Sequence, residues 1–156
     1  MTSTQDDDRA RQVLIRMLQA AYPHANVPRG PYERTADKLI ADAAGNAFNQ
    51  TTLTQGLADL DALADGDFVG LSNADGYTLL KRIESTAFFG YVRRFATVNL
   101  YDDPETWAAL GYEGSSFDQG GYLTRGFNDL DWLPEPRVTE YDGPVTFVPI
   151  KTKTGA

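Results

Sequence analysis

Apolar side chains recur at three- and four-residue intervals through the first two thirds of the chain, and the recurrence breaks off at a glycine-rich stretch near residue 111. That spacing puts side chains on one face of an α-helix. Val13, Leu14, Met17, Leu18 and Ala21 make the first such face. Their helix starts near Thr4 to Asp8, where polar and acidic side chains suit free amides and the positive helix end, and it stops at Pro23. The link PHANVPRGP is an ordered turn into a second helix that has Pro31 near its first position and runs to about Ala44. Tyr32, Ala36, Leu39, Ile40 and Ala43 face inward there, and Gly45 and Asn46 end it. A third helix over about 47–64 puts Leu53, Leu57, Leu60, Leu63 and Ala64 inside and Asp59, Asp61 and Asp65 outside, with Gly56 as a local weakness. Phe68 and Leu71 reach inward from the turn-rich DGDFVGLSNADG, and a fourth helix over about 74–85 presents Leu79, Leu80 and Ile83. Ser85 or Thr86 caps a fifth helix over about 88–101, and DDPETWAALG reads as a short sixth, with Pro104 at its start and Gly111 past its end.

Beyond Gly111 the helical period disappears. Eleven aromatic residues fall between positions 88 and 132, and the later ones, Tyr112, Phe117, Tyr122, Phe127 and Trp132, are interleaved with Gly111, Gly114, Gly120, Gly121 and Gly126. A regular helix does not tolerate that glycine content, but large rings anchor an irregular segment well. This ribbon is either a lid on the chain's own core or a docking surface. Residues 134–150 interleave Pro134, Pro136, Pro144 and Pro149 with Val145, Phe147 and Ile150, which predicts an extended segment, at most an edge strand. The reading is therefore mainly α: a single helical domain of five to six helices over 1–111, and an irregular Gly/aromatic-rich segment, 112–156, that belongs to the same domain and wraps a partner.

Charge and composition narrow the function classes. The formal net charge is −8 without a segregated basic face, which argues against nucleic acid or an anionic membrane as partner. With no cysteine, disulfides, thiolate metal sites and thiol nucleophiles are excluded. The opening MTSTQDDDRARQV has no apolar core of a signal peptide, and no stretch approaches the ~20 apolar residues of a membrane span. The expectation is a cytoplasmic protein as written, periplasmic only if a leader was removed or a partner carries the signal.

Candidate chemistry is sparse. His24 is the only histidine, and its place in a YPH turn favours a structural role, the imidazole bonding nearby backbone. The acidic pairs Asp59/Asp61, Asp102/Asp103 and Asp129/Asp131 are better read as caps or solvated faces, because neighbours one or two apart on a helix do not face each other. GYEGSSFDQGGY lacks the Lys-Ser/Thr of a phosphate loop, and Tyr101 to Glu105 does not fit a calcium loop. Arg93 and Arg94 lie inside a helix, where one of them would pair with an acidic neighbour or a partner. A stand-alone enzyme would have to use His24 or Asp118 in a pocket under the ribbon; a homo-oligomeric helical protein is a further alternative.

The segments AAYPHANVPRGPYERTADKLI, STAFFGYVRRFATVNLYDDPETWAALGYEG and FDQGGYLTRGFNDLDWLPEP, within about residues 10–137, resemble the gluconate 2-dehydrogenase subunit 3 family. Members are small accessory subunits of GMC-type flavin-dependent dehydrogenases. The resemblance implies a non-catalytic partner of a large FAD-binding subunit that oxidises a sugar, glycoside or other alcohol, with heterodimers open to higher-order assembly. It carries over no catalytic residue and puts no cofactor or metal on this chain; FAD would sit on the partner. The twin-arginine leader of many members has no counterpart here. In this reading Tyr112, Phe117, Gly120, Gly121, Tyr122, Arg125, Phe127 and Trp132 form the partner-binding set: rings are buried as anchors, glycines admit close backbone approach, and Arg125 supplies a directed fork.

Overall fold

The computed structural model describes residues 4–121, 123, 143 and 144. Six α-helices follow one another: α1 (Thr4–Ala21), α2 (Arg29–Ala44), α3 (Ala47–Ala62), α4 (Asn73–Ile83), α5 (Ala87–Tyr101) and α6 (Pro104–Leu110). Short 3-10 turns occupy Phe68–Gly70 and Phe117–Gln119, and there is no strand among the described residues. The protein is mainly α, as the periodicity predicts. The chain divides into two units, Met1–Ser115 and Ser116–Ala156. All six helices belong to the first.

α1 is the hub of the helical unit and packs on α2, α3 and α4. The sequence pattern marks one face of it, yet Ile15 and Ala20 are buried as fully as Val13, Leu14, Met17 and Leu18. At 100° per residue these positions cover roughly 220° of the circumference. Only a narrow stripe holding Arg16 and Gln19 stays half-exposed on this stretch. The core continues into Tyr32, Ala36 and Leu39 of α2, Leu53, Leu57 and Leu60 of α3, Leu80 of α4 and Phe88, Val92, Ala96 and Leu100 of α5.

Several helix ends are set by local chemistry. Asn46 accepts from the amides of Phe48 and Asn49, Ser72 from Asp75, Thr86 from Phe89 and Asp103 from Glu105, each satisfying an amide that lacks a partner within its helix. Gly111 ends α6 at φ 74°, a left-handed conformation that glycine reaches without penalty.

Some sequence expectations need correction. Ile40 and Leu63 are exposed, because their positions fall at the edge of the apolar stripe. α3 ends at Ala62, so Leu63 and Ala64 lie beyond its last turn. Asp61 is not an outward carboxylate: it takes two hydrogen bonds from Arg9, at 3.0 and 2.8 Å, and one from the Phe68 amide at 2.9 Å. Burial pushes the Asp61 carboxyl up, while the Arg9 fork and the Phe68 amide more than reverse this and leave it below its usual value. That bonding fixes the turn that drives the fully buried Phe68 into the core. Gly56 is no mere weak point either. The Phe88 ring lies where its β-carbon would be, so α3 and α5 approach as closely as they do because residue 56 has no side chain. The predicted extended segment at 134–150 lies outside the described residues apart from Gly143 and Pro144.

Candidate functional site

The end of the helical unit is built on Trp107. Its indole Nε1 donates to the Tyr101 carbonyl at 2.5 Å, its carbonyl accepts from the Tyr112 amide at 2.9 Å, and its ring meets that of Tyr112 edge-on with centroids 5.5 Å apart. A β-carbon on Gly114, at φ 85°, would come into contact with the same indole. Tyr112 thus has a fixed inner edge and an open outer one, 52% exposed. That is the geometry of a ring able to anchor a partner at small entropic cost.

Below this, Asp103 joins three elements. Arg34 of α2 donates to both of its oxygens at 2.7 and 2.8 Å, and the Glu105 amide donates at 2.9 Å. Arg34 also reaches Glu105 at 2.7 Å. The Arg34 guanidinium, helped by the amides of Glu105 and Thr106, holds the Asp103 carboxyl below the usual carboxylate range. Asp103 is buried, so this is a structural pair that locks α6 to α2.

In the second unit, Ser116 accepts from the amides of Gln119 at 3.0 Å and Gly121 at 2.8 Å, curling the chain around Phe117–Gln119. Gly120 and Gly121 supply the left-handed backbone, φ 85° and 68°. Phe117 is 86% exposed on this turn, and Asp118 and Leu123 are exposed as well. Of the sequence-predicted partner set, Tyr112, Phe117, Gly120 and Gly121 are described; Tyr122, Arg125, Phe127 and Trp132 lie outside the described residues.

Sequence reasoning missed the outer strip of α5. Phe88, Val92, Ala96 and Leu100 form the buried i, i+4 row. Beside that row, Tyr91, Arg94, Phe95, Val98 and Asn99 line an open groove of about 340 Å³, and Val98 is 66% exposed. One end is fixed, since the Tyr91 hydroxyl donates to Asp42 of α2 at 2.7 Å. Burial, then the Asp42 carboxylate, pushes the Tyr91 phenol up to about 12. Neither Arg93 nor Arg94 forms an ion pair among the described residues, so the acidic neighbour the sequence suggests is not found there. The signal was present as Val98, an apolar residue two positions off the buried row.

His24 lies in the link between α1 and α2. Its imidazole bonds a side chain rather than backbone: Nε2 is 2.6 Å from the Tyr101 hydroxyl, and the two rings meet edge-on. Tyr22 grips the same helix through its hydroxyl, 3.0 Å from Thr97 Oγ1, and its ring meets Tyr101 edge-on as well. Together they clamp the α1–α2 link to α5. No cluster of three or more metal-ligating side chains occurs among the described residues, and no described helix is long and apolar enough to cross a membrane.

No protein-family model, curated protein or solved structure matches the chain.

Proposed function

We propose that this chain is a non-catalytic, partner-binding subunit: the small accessory subunit of a GMC-type flavin-dependent dehydrogenase of sugars, glycosides or other alcohols. The large subunit would hold the FAD and carry out the oxidation. The observation that supports binding is the uncovered strip of α5, where Tyr91, Phe95 and the exposed Val98 flank Arg94. An apolar stripe with a cation at its rim suits a protein surface of matching apolar shape with a carboxylate facing Arg94. In the same unit Tyr112 is a further exposed ring, beside the left-handed Gly111; the second unit by itself exposes Phe117 on a glycine turn. The identity of the partner rests on the sequence resemblance alone.

Co-expression with a GMC-type flavoprotein tests the reading. The expected result is a yellow complex of both chains that survives size exclusion. Val98→Asp should split it while the helical CD signal of this chain stays intact. The reading fails if the unaltered chain ignores the flavoprotein. It also fails if His24→Ala or Asp118→Asn abolishes turnover in an intact assembly, because an accessory subunit loses assembly before or together with turnover.

A further inference from the structure

The half-exposed stripe of the hub helix opens on a cavity. Arg16 and Gln19 of α1, Pro23, His24 and Val27 of the link, Tyr32 of α2 and Asn73 of α4 surround a mainly polar space of about 180 Å³. The space is open to solvent on one side and large enough to admit a phosphate or a short organic acid. No carboxylate lines it.

Arg16 is held from behind by neutral acceptors. Its Nε and Nη2 donate to the Leu71 carbonyl at 3.1 and 2.6 Å, and Nη1 donates to Asn73 Oδ1 at 2.7 Å. A guanidinium has five N–H groups, so one remains on each terminal nitrogen. Arg9, Arg11, Arg29 and Arg34 each pair with a carboxylate; Arg16 has none among the described residues, and unlike the exposed Arg82, Arg93 and Arg94, which also have none, it is half-buried. A half-buried guanidinium whose position is held by three hydrogen bonds to neutral acceptors keeps its charge uncompensated and two N–H groups free for an anion.

The neighbours are donors too. Asn73 spends its oxygen on Arg16, which turns its amide N–H₂ outward from that bond, and Gln19 brings a second amide. When the Tyr101 hydroxyl donates to His24 Nε2, the imidazole proton rides on Nδ1, a further donor at the wall.

We infer that this cavity between α1, the α1–α2 link and the start of α4 is a binding site for a small oxyanion, a phosphate or a short carboxylate, with Arg16 as its principal ligand and Asn73, Gln19 and His24 as supporting donors. The planar guanidinium fork matches both kinds of oxyanion. The site does not depend on the chain having a protein partner.

Titration calorimetry on the full chain at constant ionic strength is the test, with inorganic phosphate in one arm, succinate in a second and chloride as the control. Saturable binding of phosphate or succinate, absent with chloride, is expected, and the arm that binds more tightly names the source. Arg16→Gln should weaken binding at least about tenfold, the scale of losing a charge-assisted bond. Arg93→Gln, which removes an exposed cation elsewhere, should leave it unchanged. Should Arg16→Gln misfold, NMR of the unaltered chain decides, because the Arg16 Nε and Asn73 amide resonances must move on titration. No saturable heat with either anion, equal affinity in Arg16→Gln, or equal weakening in Arg93→Gln overturns the proposal.

Discussion

α1 and α5 are both rich in apolar residues, yet the protein treats them differently. α1 is surrounded, with helices on three sides, and its apolar positions from Val13 to Ala20 are all consumed by the core. α5 spends one i, i+4 row on α2 and α3 and leaves Val98 and the flanks of Tyr91 and Phe95 against solvent. Apolar positions on two helices therefore have two meanings. In α1 they give cohesion; in α5 Tyr91 and Phe95 still pack in part against the core, and Val98 alone of the strip's apolar residues lies largely in solvent.

The largest effect should come from the surrounded helix. Leu18→Ala removes a side chain with no exposure and should cost about 3–5 kcal/mol in urea unfolding, the range for cavities in close-packed cores. Val98→Ala, on the open strip, should stay within about 0.5 kcal/mol. Equal costs would erase the contrast between the two helices.

Next is the seam that joins α5 to the core. Gly56→Ala forces a methyl into the Phe88 ring and should destabilise by about 1–3 kcal/mol. Pairing it with Phe88→Leu should recover part of that loss, a non-additivity that a double-mutant cycle reads directly. Strictly additive effects would mean that the ring and the glycine do not share the space.

Asp103→Ala removes a cap and the acceptor of Arg34, and should cost about 1–2 kcal/mol. It also sharpens a pH prediction. Arg34 holds the Asp103 carboxyl below its unfolded value of about 4, so the pair contributes stability above about pH 5, lost as pH falls through the folded value. Asp37, held down by Arg11, follows the same sign. Acid unfolding of Asp103→Ala should be less steep than that of the parent; an identical profile would remove Asp103 from the account.

The helices were legible in the sequence because their apolar positions repeat and their caps are local: Thr86, Pro104 and Gly111 act within a few residues. What was not legible depends on partners distant in the chain. Gly56 reads as a helix weakener until Phe88, on another helix, is seen to occupy its missing side chain. Asp61 reads as solvated until Arg9 is found beside it, a separation of 52 residues. Ile40 and Leu63 follow the period yet stay outside, because periodicity marks a stripe and not its edges. The exposure of Tyr112 and of Phe117 fits their setting among rings and glycines, whereas the open strip of α5 and the space beside Arg16 depend on how the helices pack against one another.

The bond from Arg34 to Asp103 has a consequence for chain entropy. It spans 69 residues of chain, whereas the Tyr32 hydroxyl reaches the Tyr22 carbonyl across only 10. By the logarithmic growth of loop entropy, the longer closure costs about 1.7 kcal/mol more. The closure between Tyr22 and Tyr32 therefore gives up less chain entropy, and the latch of α6 on α2 gives up more.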